Sequence, residues 1–81
     1  MILTDLLALK RSDEAGLAAQ LTQQLRALIS GGRIRSGAVL PSSRSLSAEL
    51  EVARNTVIHA YEQLAAEGYL RLAARRRPVV A

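Results

Sequence analysis

The stretch Leu40-Pro41-Ser42-Ser43-Arg44-Ser45-Leu46-Ser47-Ala48-Glu49-Leu50-Glu51-Val52-Ala53-Arg54-Asn55-Thr56-Val57-Ile58-His59-Ala60-Tyr61 decides the fold. Pro41-Ser42-Ser43 is a helix start signal, with Ser42 as N-cap because its side-chain oxygen can accept from an unpaired amide of the first turn. Leu46 and Leu50 then fall on one face, which predicts a short helix of roughly eight residues ending near Glu51. After a tight turn another helix begins at about Arg54. Val57, Ala60, Tyr61 and Leu64 make its apolar stripe, and Gly68 stops it. Two helices joined this tightly form a helix-turn-helix.

Upstream, Leu17, Leu21, Leu25, Leu28 and Ile29 recur at helical spacing, with Gln20, Gln23, Gln24 and Arg26 between them. This predicts an amphipathic helix closed by Gly31-Gly32. Arg33 to Val39 reads as a connection, with a short strand at Ala38-Leu40. Downstream, Tyr69-Leu70-Arg71-Leu72 and Pro78-Val79-Val80 flank a polar tip and predict a hairpin. Residues 1–16 read as an irregular leader, and residues 17–81 as one domain, mainly α with a small β-hairpin.

Composition narrows the function classes. With 81 residues and no cysteine, the chain holds one domain at most and neither disulfides nor thiolate metal sites. A lone histidine has no partners for a zinc site or for acid–base work. Ser42 and Ser43 have no base beside them and read as helix-start residues rather than nucleophiles. The leader carries Asp5 and lacks a basic start, so it is a poor signal peptide, and no apolar run approaches the roughly 20 residues of a membrane span. These features predict a cytoplasmic chain that is not an enzyme.

The net charge of +4 is concentrated. Residues 1–30 balance Lys10, Arg11 and Arg26 against Asp5, Asp13 and Glu14, while residues 31–81 set eight arginines against four glutamates. Arginine forks onto phosphates and guanine edges, although a solvated basic surface has the same composition. In a helix-turn-helix the second helix enters the major groove by its N-terminal turn. Arg54-Asn55-Thr56 supplies that turn with side chains suited to guanine, adenine and phosphate or a thymine methyl. An ordinary polar helix start shows the same residue types, so this alternative stays open here. His59 lies on the side away from the apolar stripe, a candidate phosphate contact or a plain exposed histidine. Tyr61 falls on the stripe and reads as core. Tyr69 reads as packing where helix meets hairpin, and Arg33 and Arg35 as solvated. Only two aromatic residues, both tyrosines, argue against single-strand stacking.

The run Gly37 to Val57, continuing through Ala60-Tyr61-Glu62-Gln63-Leu64 to Glu67-Gly68-Tyr69-Leu70, resembles the DNA-binding domain of the GntR family of bacterial regulators. Within the family it is similar to the MocR-like branch, through Arg54-Asn55-Thr56-Val57, Ala60-Tyr61 and Glu67-Gly68-Tyr69. The resemblance covers roughly residues 17–72. It implies a winged helix-turn-helix, three helices plus a wing, that binds double-stranded operator DNA as a homodimer. It implies contacts from Arg44 at the start of the first motif helix and from Arg54, Asn55 and Thr56 on the recognition helix. It also implies a wing whose tip, near Ala74-Arg75, reaches the minor groove or backbone, where Arg75, Arg76 and Arg77 would hold phosphates.

MocR-like proteins carry a further aminotransferase-like domain that binds pyridoxal phosphate. A chain of 81 residues cannot contain one, so no cofactor is expected in it, and it reads as a piece of a longer regulator. The leucine-rich residues 1–10 are an alternative source of subunit contacts.

Three positions depart from the family. Glu51 stands where glycine is usual, costing on the order of 1 kcal/mol if the backbone there is left-handed. Ala53 replaces a capping serine or threonine, worth roughly 0.5–2 kcal/mol. Ser45 replaces the glutamate of a capping box. A winged helix docking its basic face on an acidic protein partner is the alternative function.

Overall fold

A computed structural model describes residues 3–11 and 16–81; the expectations for Met1-Ile2 and Ser12-Asp13-Glu14-Ala15 lie outside it. Among the described residues the chain forms a 3-10 turn, Leu3–Leu6, then helices α1 (Leu17–Ser30), α2 (Ser43–Leu50) and α3 (Arg54–Ala66), and strands β1 (Leu70–Arg71) and β2 (Val79–Val80). The expected three helices and hairpin are all present.

Each helix buries the stripe read from its spacing: Leu17, Leu21 and Leu25 on α1, Leu46 on α2, and Val57, Ala60, Tyr61 and Leu64 on α3. All of these but Leu17 join Ile34, Leu40, Leu70 and Val80 in one core, with Leu28, Ile29 and Tyr69 packed at its margin. α3 is the central element, touching α1, α2 and β1. A chain this small buries only about 60–65% of its unfolded surface, so these few contacts carry the stability.

Helix ends follow local chemistry. Ser42 caps α2, its Oγ accepting from the Ser45 amide at 3.1 Å. Ala53 precedes α3 and makes no side-chain cap bond. Past the end of α1, Gly32 turns left-handed (φ 79), and past α3, Gly68 does the same (φ 87). Glu51 occupies the equivalent place after α2, at φ 56 and ψ 47, so the left-handed position considered from the sequence is real.

β1 and β2 pair antiparallel, Leu70 with Val80 and Arg71 with Val79. The strand expected at Ala38-Leu40 shrinks to a single bridge, Val39 with Val79. Around it the Leu40 amide donates to Pro78 O (2.8 Å) and the Val80 amide to Ala38 O (2.9 Å), so the connection before α2 lies along β2 as a third segment of the wing.

The leader departs from expectation. It contains the 3-10 turn, and Leu3, Leu7 and Leu9 pack against the domain's own core. The amide groups of Gln24 and Gln20 each make a two-way pair with the leader backbone, at Ala8 and Lys10 respectively. A leucine pattern seen in sequence does not reveal which apolar surface it will cover.

Candidate nucleic-acid interface

The helix-turn-helix and the wing meet at one edge of the molecule. Between them lies an open cleft of about 400 Å³, with Ser43, Arg54 and Glu62 on the helical side and Arg75, Arg76 and Arg77 on the wing. Four guanidinium groups against one carboxylate give this cleft a positive field suited to a phosphate chain.

α2 and α3 bring their N-termini together here. The Arg54 Nε donates to Ser43 Oγ at 3.2 Å, which steadies the arginine at the head of α3. Asn55 beside it is exposed and Thr56 half-buried; Arg44 is exposed in the first turn of α2, and His59 is exposed on α3. Only Arg54 and the three wing arginines among the sequence candidates line the cleft; Arg44, Asn55, Thr56 and His59 stand on the helices outside it. With no side-chain cap from Ala53, the first amides of α3 are open to an anion, the usual attraction of a helix N-terminus.

The wing turns at Ala73–Arg76, where the Arg76 amide donates to Ala73 O at 3.2 Å. Its tip therefore lies at Ala74-Arg75, where the sequence put it. Arg75 adopts φ 62, a left-handed conformation that a glycine would hold without strain. Arg77 is partly committed to structure: its Nε donates to Leu40 O at 2.9 Å, tying the base of the wing to the segment before α2. A neighbouring bond, Tyr61 Oη to Pro41 O at 2.7 Å, anchors the same segment to α3. Burial pushes the Tyr61 phenol far above its ordinary value of 10.0, with the Arg77 charge opposing, so it remains a neutral donor.

On the far side, Arg26 of α1 forks onto Glu67 just past α3 through Nε (2.7 Å) and a terminal nitrogen (2.8 Å), and Gln63 donates to the same carboxylate at 2.6 Å. The paired guanidinium, then the Gln63 amide, hold the Glu67 carboxyl below its ordinary value of 4.5. Sequence reasoning read Ser43 only as a helix-start residue and assigned no partner to Arg11, Gln20, Gln24 or this cluster. Ser43 was within reach, because the start of α2 must face the start of α3 in such a motif; the others join residues far apart in the chain.

Among the described residues no helix is long and apolar enough to cross a membrane.

A model of the bacterial regulatory proteins of the gntR family matches residues 17–80. The expected likeness to the MocR-like branch is borne out by two relatives. The chain is 49% identical over 70 residues to the HTH-type pyridoxine biosynthesis transcriptional regulator PdxR of Corynebacterium glutamicum, covering 85% of this chain and 16% of that protein. It is 42% identical over 65 residues to the probable rhizopine catabolism regulatory protein MocR of Rhizobium meliloti, covering 80% of this chain and 13% of that one. The chain thus spans a small fraction of the length of these relatives.

Among solved structures, YtrA from Sulfolobus acidocaldarius, a GntR-family transcription factor, superposes with a TM-score of 0.82 at 30% identity, over 94% of this chain and 81% of that one. AraR(DBD) in complex with operator ORX1 superposes with a TM-score of 0.73 at 25% identity, over 80% of this chain and 78% of that one. The fold is therefore the winged helix-turn-helix expected from the sequence.

Proposed function

The chain belongs to the gntR family of bacterial regulatory proteins, and we propose that it reads double-stranded operator DNA for a longer transcription regulator. In this reading α3 enters the major groove by its first turn. Arg54 and Asn55 face base edges, Thr56 serves the backbone or a thymine methyl, and Arg44 and His59 flank them. Arg75, Arg76 and Arg77 hold the neighbouring backbone or reach into the minor groove. The observation that carries the proposal is the cleft in which Arg54, at the head of α3, shares one positive surface with the wing arginines. The polar start of α3 favours DNA over an acidic protein partner, for which an apolar residue in that turn would be the better fit.

The domain itself performs no chemistry in this reading and works in the cytoplasm, where the chromosome is. The pyridoxal phosphate expected of the MocR-like branch would be held in a separate aminotransferase-like domain, and no residue of this chain is assigned to it. Pairing of two such regulators on a two-fold operator would set two copies of α3 one helical turn apart, about 34–36 Å.

The test is a titration with duplexes recovered from a random-sequence pool. Affinity should fall steeply as salt rises, because several arginines displace counterions. Arg54→Ala should relax discrimination between sequences, while Arg76→Ala should weaken all duplexes about equally. Binding insensitive to salt, or a titration that leaves the amides of residues 54–56 unshifted, would overturn the proposal.

A further inference from the structure

The three helix ends of this domain share one pattern of hydrogen bonds. After each, a left-handed residue lets the next amide reach back to a carbonyl five residues earlier: Arg33 to Leu28 (2.9 Å), Val52 to Ser47 (3.0 Å) and Tyr69 to Leu64 (2.9 Å). Glycine supplies the left-handed residue after α1 and α3, at Gly32 and Gly68. After α2 it is Glu51, at φ 56, where a side chain is strained. This strained end is the turn of the helix-turn-helix, and among the described residues it receives something that neither of the others does. The Arg11 guanidinium donates to Glu51 O at 2.8 Å and, with its other terminal nitrogen, to Leu50 O. It thereby pairs carbonyls that the helix end leaves over and sets a positive charge at the negative end of α2.

The leader delivers this arginine. Gln20 and Gln24 stand one turn apart on α1 and bond both backbone groups of Lys10 and Ala8, at distances of 2.7–3.1 Å. Two side-chain amides thus pair with alternate residues of an extended segment, as the edge of a sheet would. Between them Leu9 packs on the core. The segment is fastened to α1, and its next residue, Arg11, spans to the turn between α2 and α3. Arg11 does not line the basic cleft.

We propose that Arg11 is a positioning residue for DNA reading: it fixes the left-handed turn at Glu51 and so the angle at which Arg54, Asn55 and Thr56 are presented. The inference depends on the DNA-binding reading above. A turn held before binding spares the ordering that binding would otherwise impose, so the effect falls on sequence-specific contacts rather than on overall charge attraction.

The test compares the unmodified chain with Arg11→Ala, Arg11→Gln and Arg11→Ala/Glu51→Gly. The probes are one duplex recovered from a random-sequence pool by the unmodified chain and one of scrambled sequence, titrated by fluorescence anisotropy over a range of salt. Arg11→Ala and Arg11→Gln should weaken the selected duplex about five- to tenfold and leave the scrambled one and the salt slope unchanged. Adding Glu51→Gly should restore most of the loss, because glycine holds the turn unaided.

Equal loss on both duplexes, with the slope of log K against log salt falling by about 0.9, would make Arg11 a phosphate contact and overturn the proposal. Lower melting temperature with unchanged discrimination would make it merely structural and overturn the proposal as well. If the unmodified chain recovers no duplex, the DNA reading fails first. The narrower claim that Arg11 fixes the turn is then decided by hydrogen exchange at the Val52 and Thr56 amides, which should quicken in Arg11→Gln; unchanged exchange would refute it.

Discussion

Arg75→Gly should make the domain more stable and worse at holding DNA. Arg75 sits at φ 62 in the tip of the wing. A non-glycine residue there carries about 1–2 kcal/mol of strain. Glycine removes it but gains about 0.4–1 kcal/mol of entropy in the unfolded chain. The two ranges leave a stabilisation of about 0–1.6 kcal/mol, with a central value of about 0.8 kcal/mol. For a domain of 81 residues the central value raises the melting temperature by about 3–6 °C. The same change deletes a cation from the basic cleft. If Arg75 neutralises one phosphate, the slope of log K against log salt falls by about 0.9, which is about eightfold in affinity at 0.1 M salt relative to 1 M. Thermal melts by circular dichroism and anisotropy titrations against one duplex at several salt concentrations measure both sides. A melting temperature that falls would refute the strain argument. An unchanged salt slope would show that the wing tip stands clear of the backbone.

Further predictions follow from the core and the helix ends. Leu64→Ala empties a fully buried site on α3 and should cost about 2–5 kcal/mol. Urea denaturation should show a lower midpoint at an unchanged slope; a loss under about 1 kcal/mol would mean the surroundings collapse into the space. Ser42→Ala removes the cap on the Ser45 amide and should cost about 0.5–2 kcal/mol by the same measurement, whereas Ser45→Ala should lie near zero. The Glu67 carboxyl is held below its ordinary value by Arg26, so its contribution is fully present above pH 4.5 and is lost as pH falls through the lower folded value. The melting-temperature gap between the unmodified chain and Glu67→Gln should therefore narrow on acidification below that point; a gap that widens there would reverse the assignment.

Most of the local architecture was legible in the sequence because it depends on short-range physics. The stripes Leu17-Leu21-Leu25 and Val57-Ala60-Tyr61-Leu64 follow from 3.6-residue periodicity, and all of these residues are buried. Ser42 caps because serine before an apolar-periodic segment has an amide within reach. The hairpin could be expected because two apolar segments flank a polar tip, and the family resemblance placed that tip at Ala74-Arg75.

The candidate site was legible in part. The Arg54-Asn55-Thr56 turn follows from its position at the head of a helix, but nothing local says that Arg54 shares a cleft with Arg75, Arg76 and Arg77. Nor does the triplet reveal that Arg77 spends its Nε on Leu40 O. The leader was the largest departure: three leucines at irregular spacing gave no period from which to infer the surface they cover.

What the sequence by itself determined is therefore the set of elements, their ends and their apolar faces, since each is set by neighbours three or four residues away. At Glu51 it offered only a condition, a cost if the backbone there is left-handed, and the structure supplied the φ of 56 that meets it. What only the tertiary structure decided is which long polar side chains meet which distant partners: Arg11 with the carbonyls of Leu50 and Glu51, Gln20 and Gln24 with the leader, and Arg26 with Glu67. These pairings leave no periodic trace. A flexible arginine or glutamine can reach many acceptors, and the choice is made only when packing of the apolar faces has brought one of them within about 3 Å.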